Sequence, residues 1–510
     1  MKKLLFIALI MFAACKKAPL EVDSVFDIPE DQAINNINDL EVLVNGAYQS
    51  LQARNNYGAA LKLIPDLLSD QVVITTRAYQ RNTGDYFNLY TRQFFGTADG
   101  VWRECYTCIN RCNAVLNAIE KGTIKASSQV ETENLNRIQG EALFLRAMMH
   151  FELVRLYGLQ YGLNQDETQS GVLLKLTLTT GRYSQPRATT REVYEAIQKD
   201  LIQAIGLLPE DRRPTDLTTY GGRVGGRATK PAAQAILARV YFQKATEADD
   251  QLALEQINAV LANPAFDVAA DTIGTQGFQF LVKTNYTIHS SVLFQVVNII
   301  NPFTNEGNST AKPLIDSYFP EDETSDFPTI YALSSIFVDS IKSKSKSTDS
   351  RVGNGIQGSS VPFTTKYRTN GASVDLNIPV IRASELVISR AEILATLGRR
   401  DEAIADVLQL RKRAYSNFVE SVEKASLEAL SNEGLLREIA RERSKELFTE
   451  GDRLHHFRRF AQRHRLSGTL SMGTARSSYR IENSLDFDKK RFLFQIPDAE
   501  IAANPAVARN

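Results

Sequence analysis

Residues Gly140–Gly158 read GEALFLRAMMHFELVRLYG, and this stretch decides the fold. Its spacing predicts a helix that is apolar around most of its circumference. A helix of that kind is buried inside a larger protein. It also carries Glu141, Arg146, Glu152 and Arg155. A buried charge without a partner is costly, so these four are expected to tie the helix to its neighbours.

Helical signals extend on both sides of it. Residues 39–53 predict one helix, 101–158 at least two, 189–262 three, and 379–463 a further set. Thr189 and Glu192 form a capping box, and the helix after it places Tyr194, Ile197, Leu201, Ala204 and Leu208 on one face before Pro209 stops it. Pro379–Leu397 and Glu402–Ala414 read as a helical hairpin. Gly398 serves there as C-cap and Asp401 as N-cap. Repeated hairpins of this kind suggest a helical-repeat scaffold, although no strict period of about 34 residues emerges.

The stretch 263–378 is different, rich in Gly, Ser, Thr and Asn. Ser291–Ile300 reads as a buried strand, Thr364–Arg368 as a short exposed one, and Ser340–Ser360 as a solvated loop. This is an irregular, loop- and short-strand-rich insertion on a mainly α frame. Recognition sites gather on loops held by rigid scaffolds.

The N-terminus reads as an export signal. Met1-Lys2-Lys3 is a positive start, Leu4–Ala14 an apolar run of eleven residues, and Phe12-Ala13-Ala14 precedes Cys15. The run is too short to span a bilayer, which takes about 20 residues, and suits a signal-peptide core. Small residues before Cys15 point to a bacterial lipoprotein, although Phe12 stands where such sites usually have Leu. Residues 1–14 are thus a signal peptide and 15–38 a tether lipidated at Cys15. Lys plus Arg equals Asp plus Glu at 59 each, which gives no argument for nucleic acid.

Three constellations carry possible chemistry. Cys105, Cys108 and Cys112 fit a metal or iron–sulfur site, a disulfide within the trio, or core packing. Packing is favoured, because Val101, Cys105, Cys108, Cys112, Val115 and Ile119 repeat at spacings of four and three. Trp102, the sole tryptophan, shares a packing face with Tyr106 and Ile109. The adjacent His455 and His456 point about 100° apart on a helix and are badly placed to share a metal. Their surroundings, Glu433–Gln462, read as a solvated face of paired charges such as Glu438/Arg441 and Glu442/Lys445. Neither a metal nor a cofactor is expected. No nucleophile elbow, phosphate loop or dinucleotide fingerprint appears.

Aromatic rings beside polar groups in loops are the chemistry of saccharide capture. One such cluster is Tyr79, Arg81, Asn82, Tyr86 and Tyr90; the other, in the insertion, is Tyr286, Phe303, Tyr318 and Phe319. For any one of these aromatics, ordinary loop packing is the competing reading.

The stretch at 140–158 resembles the signature of the SusD/RagB family of outer-membrane nutrient-binding lipoproteins. The resemblance continues in order along nearly the whole chain: Asn45-Gly46-Ala47-Tyr48, Ser69-Asp70, Trp102 with Tyr106, Ile109 and Asn113, Asp200-Leu201, and Gly226-Arg227-Ala228-Thr229-Lys230. It runs on through Leu237–Tyr241, Lys366-Tyr367-Arg368, Pro379–Arg382, Glu385 with Ala391-Glu392, Arg441–Leu447, Glu450–Arg453, Ile496–Ile501 and Asn504-Pro505. Arg453–Phe460 departs from the family's Trp-rich segment and lacks its usual Asp. The order of the words carries more weight than any one of them.

The resemblance implies a tetratricopeptide-like helical-hairpin scaffold over 39–510, as a single domain with an N-terminal helical part (39–262), the insertion (263–378) and a C-terminal helical part (379–510). It further implies a lipid-anchored protein exposed on the outer membrane. Such a protein captures a glycan and, acting as a lid, delivers it to a TonB-dependent SusC-like transporter without covalent chemistry. The alternatives are the same scaffold binding peptides, a surface glycosidase whose carboxylates carry no local spacing rule, and a scaffold protein with no ligand.

Overall fold

The computed structural model describes residues 34–74, 97–181, 183–210, 226–266, 268, 290–297, 331–342, 348–358, 362–367, 377–464 and 493–509. The chain is mainly α. Helices α1 (Ile37–Gln52) and α2 (Ala60–Leu67) lead into a short strand, β1 (Val72–Ile74). Helices α3 (Thr97–Glu120), α4 (Gln129–Tyr157) and α5 (Thr190–Leu207) follow and pack in succession, as do α6 (Lys230–Lys244) and α7 (Glu247–Leu261).

Helix α4 contains the opening stretch. Ser128 caps it by accepting from the Glu131 N–H, and Gly140 to Val154 are buried without exception. Its charges are internal ties, as expected. Arg146 forms a two-pronged pair with Asp200 on α5, 2.8 Å on each prong, and also donates to Asn113 on α3 at 2.8 Å. Glu152 accepts from the Tyr57 hydroxyl at 2.6 Å and from Arg155. The capping box at Thr189 and Glu192 is present, and the predicted face of α5 is buried. The seam of α3 is likewise core: Cys105, Cys108 and Cys112 are free thiols with no exposed surface.

The second half brings β2 (Val292–Val296), β3 (Tyr331–Leu333), α8 (Ser335–Lys342), the single turn α9 (Ser350–Gly353), β4 (Ile356–Gln357), β5 (Phe363–Thr364) and β6 (Ile378–Arg382). Helices α10 (Ala383–Thr396), α11 (Arg400–Ala414), α12 (Glu420–Glu428), α13 (Asn432–Leu447), α14 (Arg453–His464) and α15 (Asp498–Ala503) complete it. The strands form three antiparallel ribbons, β1–β3, β2–β6 and β4–β5.

Several expectations are corrected. Pro379–Arg382 is strand, not helix: Val296 pairs with Ile378 and Val292 with Arg382, around an irregular register at Phe294 and Gln295. Asp401 does not cap α11; it lies in the first turn, where a negative charge suits the helix dipole. Thr364–Tyr367 is buried rather than exposed, and so are Asp349 and Arg351 within the predicted solvated loop.

The largest correction concerns 433–462, which is two helices and mostly interior. Glu442, Lys445 and Glu446 have no exposed surface. Glu442 accepts from Arg351 at 2.6 Å, from Arg411 at 3.1 Å and from Lys445 at 3.2 Å. Glu446 accepts from Arg382 at 2.5 Å and pairs with Arg413. Arg459 grips Glu392, Arg453 grips Asp70 on both oxygens, and Arg443 grips Asp452. His455 and His456 are buried among these charges. Burial, with the nearby cations, pushes both imidazoles well below their ordinary range. Mutual pairing is what allows so polar a sequence to sit inside.

Candidate functional site

The sequence-predicted ligand residues Tyr79, Arg81, Asn82, Tyr86, Tyr90, Tyr286, Phe303, Tyr318 and Phe319 lie outside the described residues, as does Cys15. Their stems are described, and the stems define where the segments attach. In the β1–β3 ribbon Val72 pairs with Leu333, Val73 with Ala332 and Ile74 with Tyr331. Segment 75–96 therefore departs beside the point where segment 298–330 arrives. The ribbon is fastened to the frame. The Ser334 N–H donates to the Gln71 carbonyl at 2.8 Å, and the Gln71 side chain accepts from the Thr449 N–H at 3.2 Å.

The other end of 298–330 starts at β2, on the rim of a cleft of about 690 Å³. Helix α1 supplies one wall with Asn45, Tyr48, Gln49 and Gln52; Gly226-Arg227 and Gln295–Val297 supply the others. The spacing of those α1 residues, three and four apart, puts them on a single face. Gln52 fixes the strand end by donating to the Val297 carbonyl at 2.7 Å.

Arg227 organises this cleft. Its guanidinium lies 4.8 Å above the Tyr48 ring and donates to Glu141 at 2.6 Å, as well as to Glu41 and Asn45. Arg137 completes the cluster, reaching Glu41 at 2.5 Å and Glu141 at 3.1 Å. At Glu141 burial dominates and raises the pKa. At the less buried Glu41 burial also acts upward, but Arg227 and Arg137 outweigh it and the pKa falls. The Tyr48 hydroxyl accepts from the Ala228 N–H at 2.9 Å, and burial pushes the phenol up. Gln295 is 2% exposed, and its carboxamide nitrogen has no hydrogen-bond partner among the described residues. A buried donor left unmade is expensive, and a ligand oxygen would relieve that cost.

Segment 75–96 ends at Thr97, where α3 begins, beside a second cleft that holds Trp102, Tyr106 and Tyr183. Trp102 is a packing residue, as expected, 4% exposed and lying against Tyr106 and Tyr157. Thus the described residues flanking 298–330 lie at the first cleft and at the ribbon, and those flanking 75–96 at the ribbon and at the second cleft. Sequence reasoning missed Tyr48, Arg227 and Gln295 as cleft residues. The first two stand in family-like words, but only tertiary contact joins them. Among the described residues no helix is long and apolar enough to cross a membrane, and no group of three or more His, Cys, Asp or Glu is placed to hold a metal.

Two family profiles match the chain. One, for "Starch-binding associating with outer membrane" proteins, covers residues 20–242; the other, for the SusD family, covers 333–510. The chain is similar to the SusD-like protein P2 of Formosa agariphila, 25% identical over 549 residues, spanning 100% of this chain and 98% of that protein. Among solved structures it resembles a protein of Bacteroides vulgatus ATCC 8482, with a TM-score of 0.72 at 24% identity over 94% of this chain and 99% of that one. A SusD superfamily protein of Bacteroides thetaiotaomicron VPI-5482 superposes with a TM-score of 0.72 at 21% identity, over 93% and 99% of the two chains. At these identities the solved structures bear on the fold.

Proposed function

Because this chain belongs to the SusD family, we propose that it is a lipoprotein of the outer-membrane surface, anchored through Cys15, that binds oligosaccharide and delivers it as a lid to a SusC-like TonB-dependent transporter. No bond is made or broken in that task. The protein holds its ligand and releases it.

The observation that carries this reading is the β1–β3 ribbon. It sets the stems of 75–96 and 298–330 side by side on a rigid helical frame. Those segments contain the aromatic and amide residues whose chemistry suits pyranose rings. Phenol faces cover C–H groups, while Arg81 and Asn82 serve hydroxyls. The first cleft, open at the start of 298–330, extends the same surface with carboxamides from Asn45, Gln49 and Gln295.

Titration of the full chain against panels of oligosaccharides and peptides tests the proposal. Tyr79→Ala and Tyr86→Ala are each expected to weaken glycan binding about threefold to tenfold with an unchanged melting temperature. Unaltered affinity in both variants would reject the loop, and saturation by peptides alone would reject the glycan. Co-purification of a large β-barrel transporter with the tagged chain tests the lid role.

A further inference from the structure

The second cleft, of about 720 Å³, is lined by Asp99, Trp102, Arg103, Tyr106 and Asn110 of α3, by Lys175, Thr179 and Tyr183, and by α15 with Pro497 before it. Its charges are unevenly committed. Glu500 is occupied by neutral donors, accepting from the Tyr183 hydroxyl at 2.8 Å, from the Trp102 indole at 3.2 Å and from Asn504 at 3.3 Å. Arg111 is tied to the Gly46 carbonyl at 2.5 Å and to Ser50 at 2.8 Å. Arg103 stands at the mouth, its side chain 70% exposed and 3.4 Å from Glu104. Lys175 has no ion pair among the described residues. Its ammonium lies 2.9 Å from the centre of the Tyr183 ring, half-buried at the cleft wall.

We propose that this cleft is a saccharide subsite selective for a uronic acid unit, whose carboxylate pairs with Lys175 and whose ring packs on the half-buried phenol of Tyr106. A neutral sugar would leave the ammonium with only the Tyr183 ring and the longer-range pull of Glu500, and no direct ion pair. An isolated inorganic anion would leave the aromatic floor unused; the Asn110 amide is already bonded to the Thr179 backbone, accepting at 2.9 Å and donating at 3.4 Å. The volume accommodates a saccharide unit or two. Arg103 at the mouth draws an anion inward. Burial supports the assignment: it lowers the Lys175 pKa to about 8, against the opposing pull of Glu500. Among the described residues, the other ionisable groups around Lys175 are Tyr106, Tyr183, Asp99, Arg103 and Arg111 in the cleft, and His150, whose ring accepts from the Lys175 backbone N–H at 3.3 Å. Burial and Arg146 lower the His150 pKa to about 3, so it stays neutral while Lys175 titrates.

The inference rests on glycan binding and narrows it. Calorimetric titration of the full chain in detergent uses trigalacturonate, maltotriose and triglutamate as probes. Trigalacturonate is expected to bind, and Lys175→Gln to weaken it about tenfold or more at an unchanged melting temperature. Lys175→Arg should restore most of the affinity, and maltotriose should be indifferent to either change. At pH 8.5 binding should take up protons, because the ligand carboxylate restores the ammonium, and Lys175→Gln should abolish that uptake. Maltotriose binding as tightly as trigalacturonate and weakened equally by Lys175→Gln overturns the inference and leaves the glycan reading intact. Triglutamate matching trigalacturonate through Lys175 overturns it in favour of an acidic peptide. Absence of trigalacturonate binding overturns the inference alone, whereas failure of the whole oligosaccharide panel overturns the glycan reading as well.

Discussion

Glu446 shows how one residue is held in this interior. It has no exposed surface and faces Arg382, Arg413 and Arg351, the last at 3.6 Å. Burial alone would raise its pKa, yet the surrounding guanidiniums hold it well below the carboxylate range. The pairing is reciprocal: removing this anion takes a carboxylate from all three buried cations, although Arg382 keeps Glu450 and Arg351 keeps Glu442 and Asp349. Glu446→Gln keeps the shape and deletes the charge. It is expected to cost about 3–5 kcal/mol, the usual penalty for breaking a buried pair, read as a fall in the urea unfolding midpoint. A loss below about 1 kcal/mol, typical of a surface pair, would show that water reaches the site.

At the scale of elements, the turn between α13 and α14 depends on a glycine. Gly451 has φ +75, and a Cβ there would meet the backbone of α2: the Leu61 carbonyl at 2.8 Å and the Lys62 Cα at 2.9 Å. Gly398, after α10, has a similar φ of +77 but open space around it. Alanine at 398 should cost about 1–2 kcal/mol for the left-handed backbone alone. Alanine at 451 should cost clearly more, because rigid backbone must move. Thermal melts of the two variants compare them, and equal losses would mean that α2 yields. The α2 contact is itself bolted: Lys62 donates to the Glu450 carbonyl at 3.1 Å, and the Gly451 N–H donates to Asp66 at 3.3 Å.

For the whole molecule, the charged interior predicts how stability follows pH. Glu450 is lowered to about 2 by Arg382 and Lys366 acting against burial, and Glu446 and Glu392 fall well below their ordinary value of 4.5. A depressed carboxylate stabilises the fold above its unfolded pKa and loses that contribution as pH falls. His150, His455 and His456 are buried neutral, below their ordinary 6.5, so each also costs stability once pH drops under that value. Asp250, raised to about 6 by burial, acts the other way and offsets part of the histidine loss. The melting temperature should dip slightly from pH 8 to 7, as Lys62, Lys175 and Lys366, each lowered to about 8 by burial, take up protons in the fold; it should level off to about 6.5, decline to about 4.5, and then collapse. A melting temperature still level at pH 4 would contradict it.

The sequence made the helical frame legible because periodicity and caps are local: the Thr189 box, the α3 seam and the α4 stretch needed no distant partner. Arg351, Lys366 and Glu442 were misread as solvated because their counter-charges come from elsewhere in the chain, and composition cannot see pairing. The proposed ligand residues are legible only as chemistry. What joins Tyr48 to Arg227, or Ile74 to Tyr331, is tertiary contact alone.

The β1–β3 ribbon also bears on the order of assembly. Helical hairpins are local in sequence and close early, whereas pairing between distant segments must first overcome loop-closure entropy. A chain emerging from its N-terminus can fold α3 onto α4 at once, but Val72 must wait for Leu333. The ribbon is thus one of the last joints to form, so a slow folder or a truncated chain would keep its helices and lose the pairing of Val72 with Leu333.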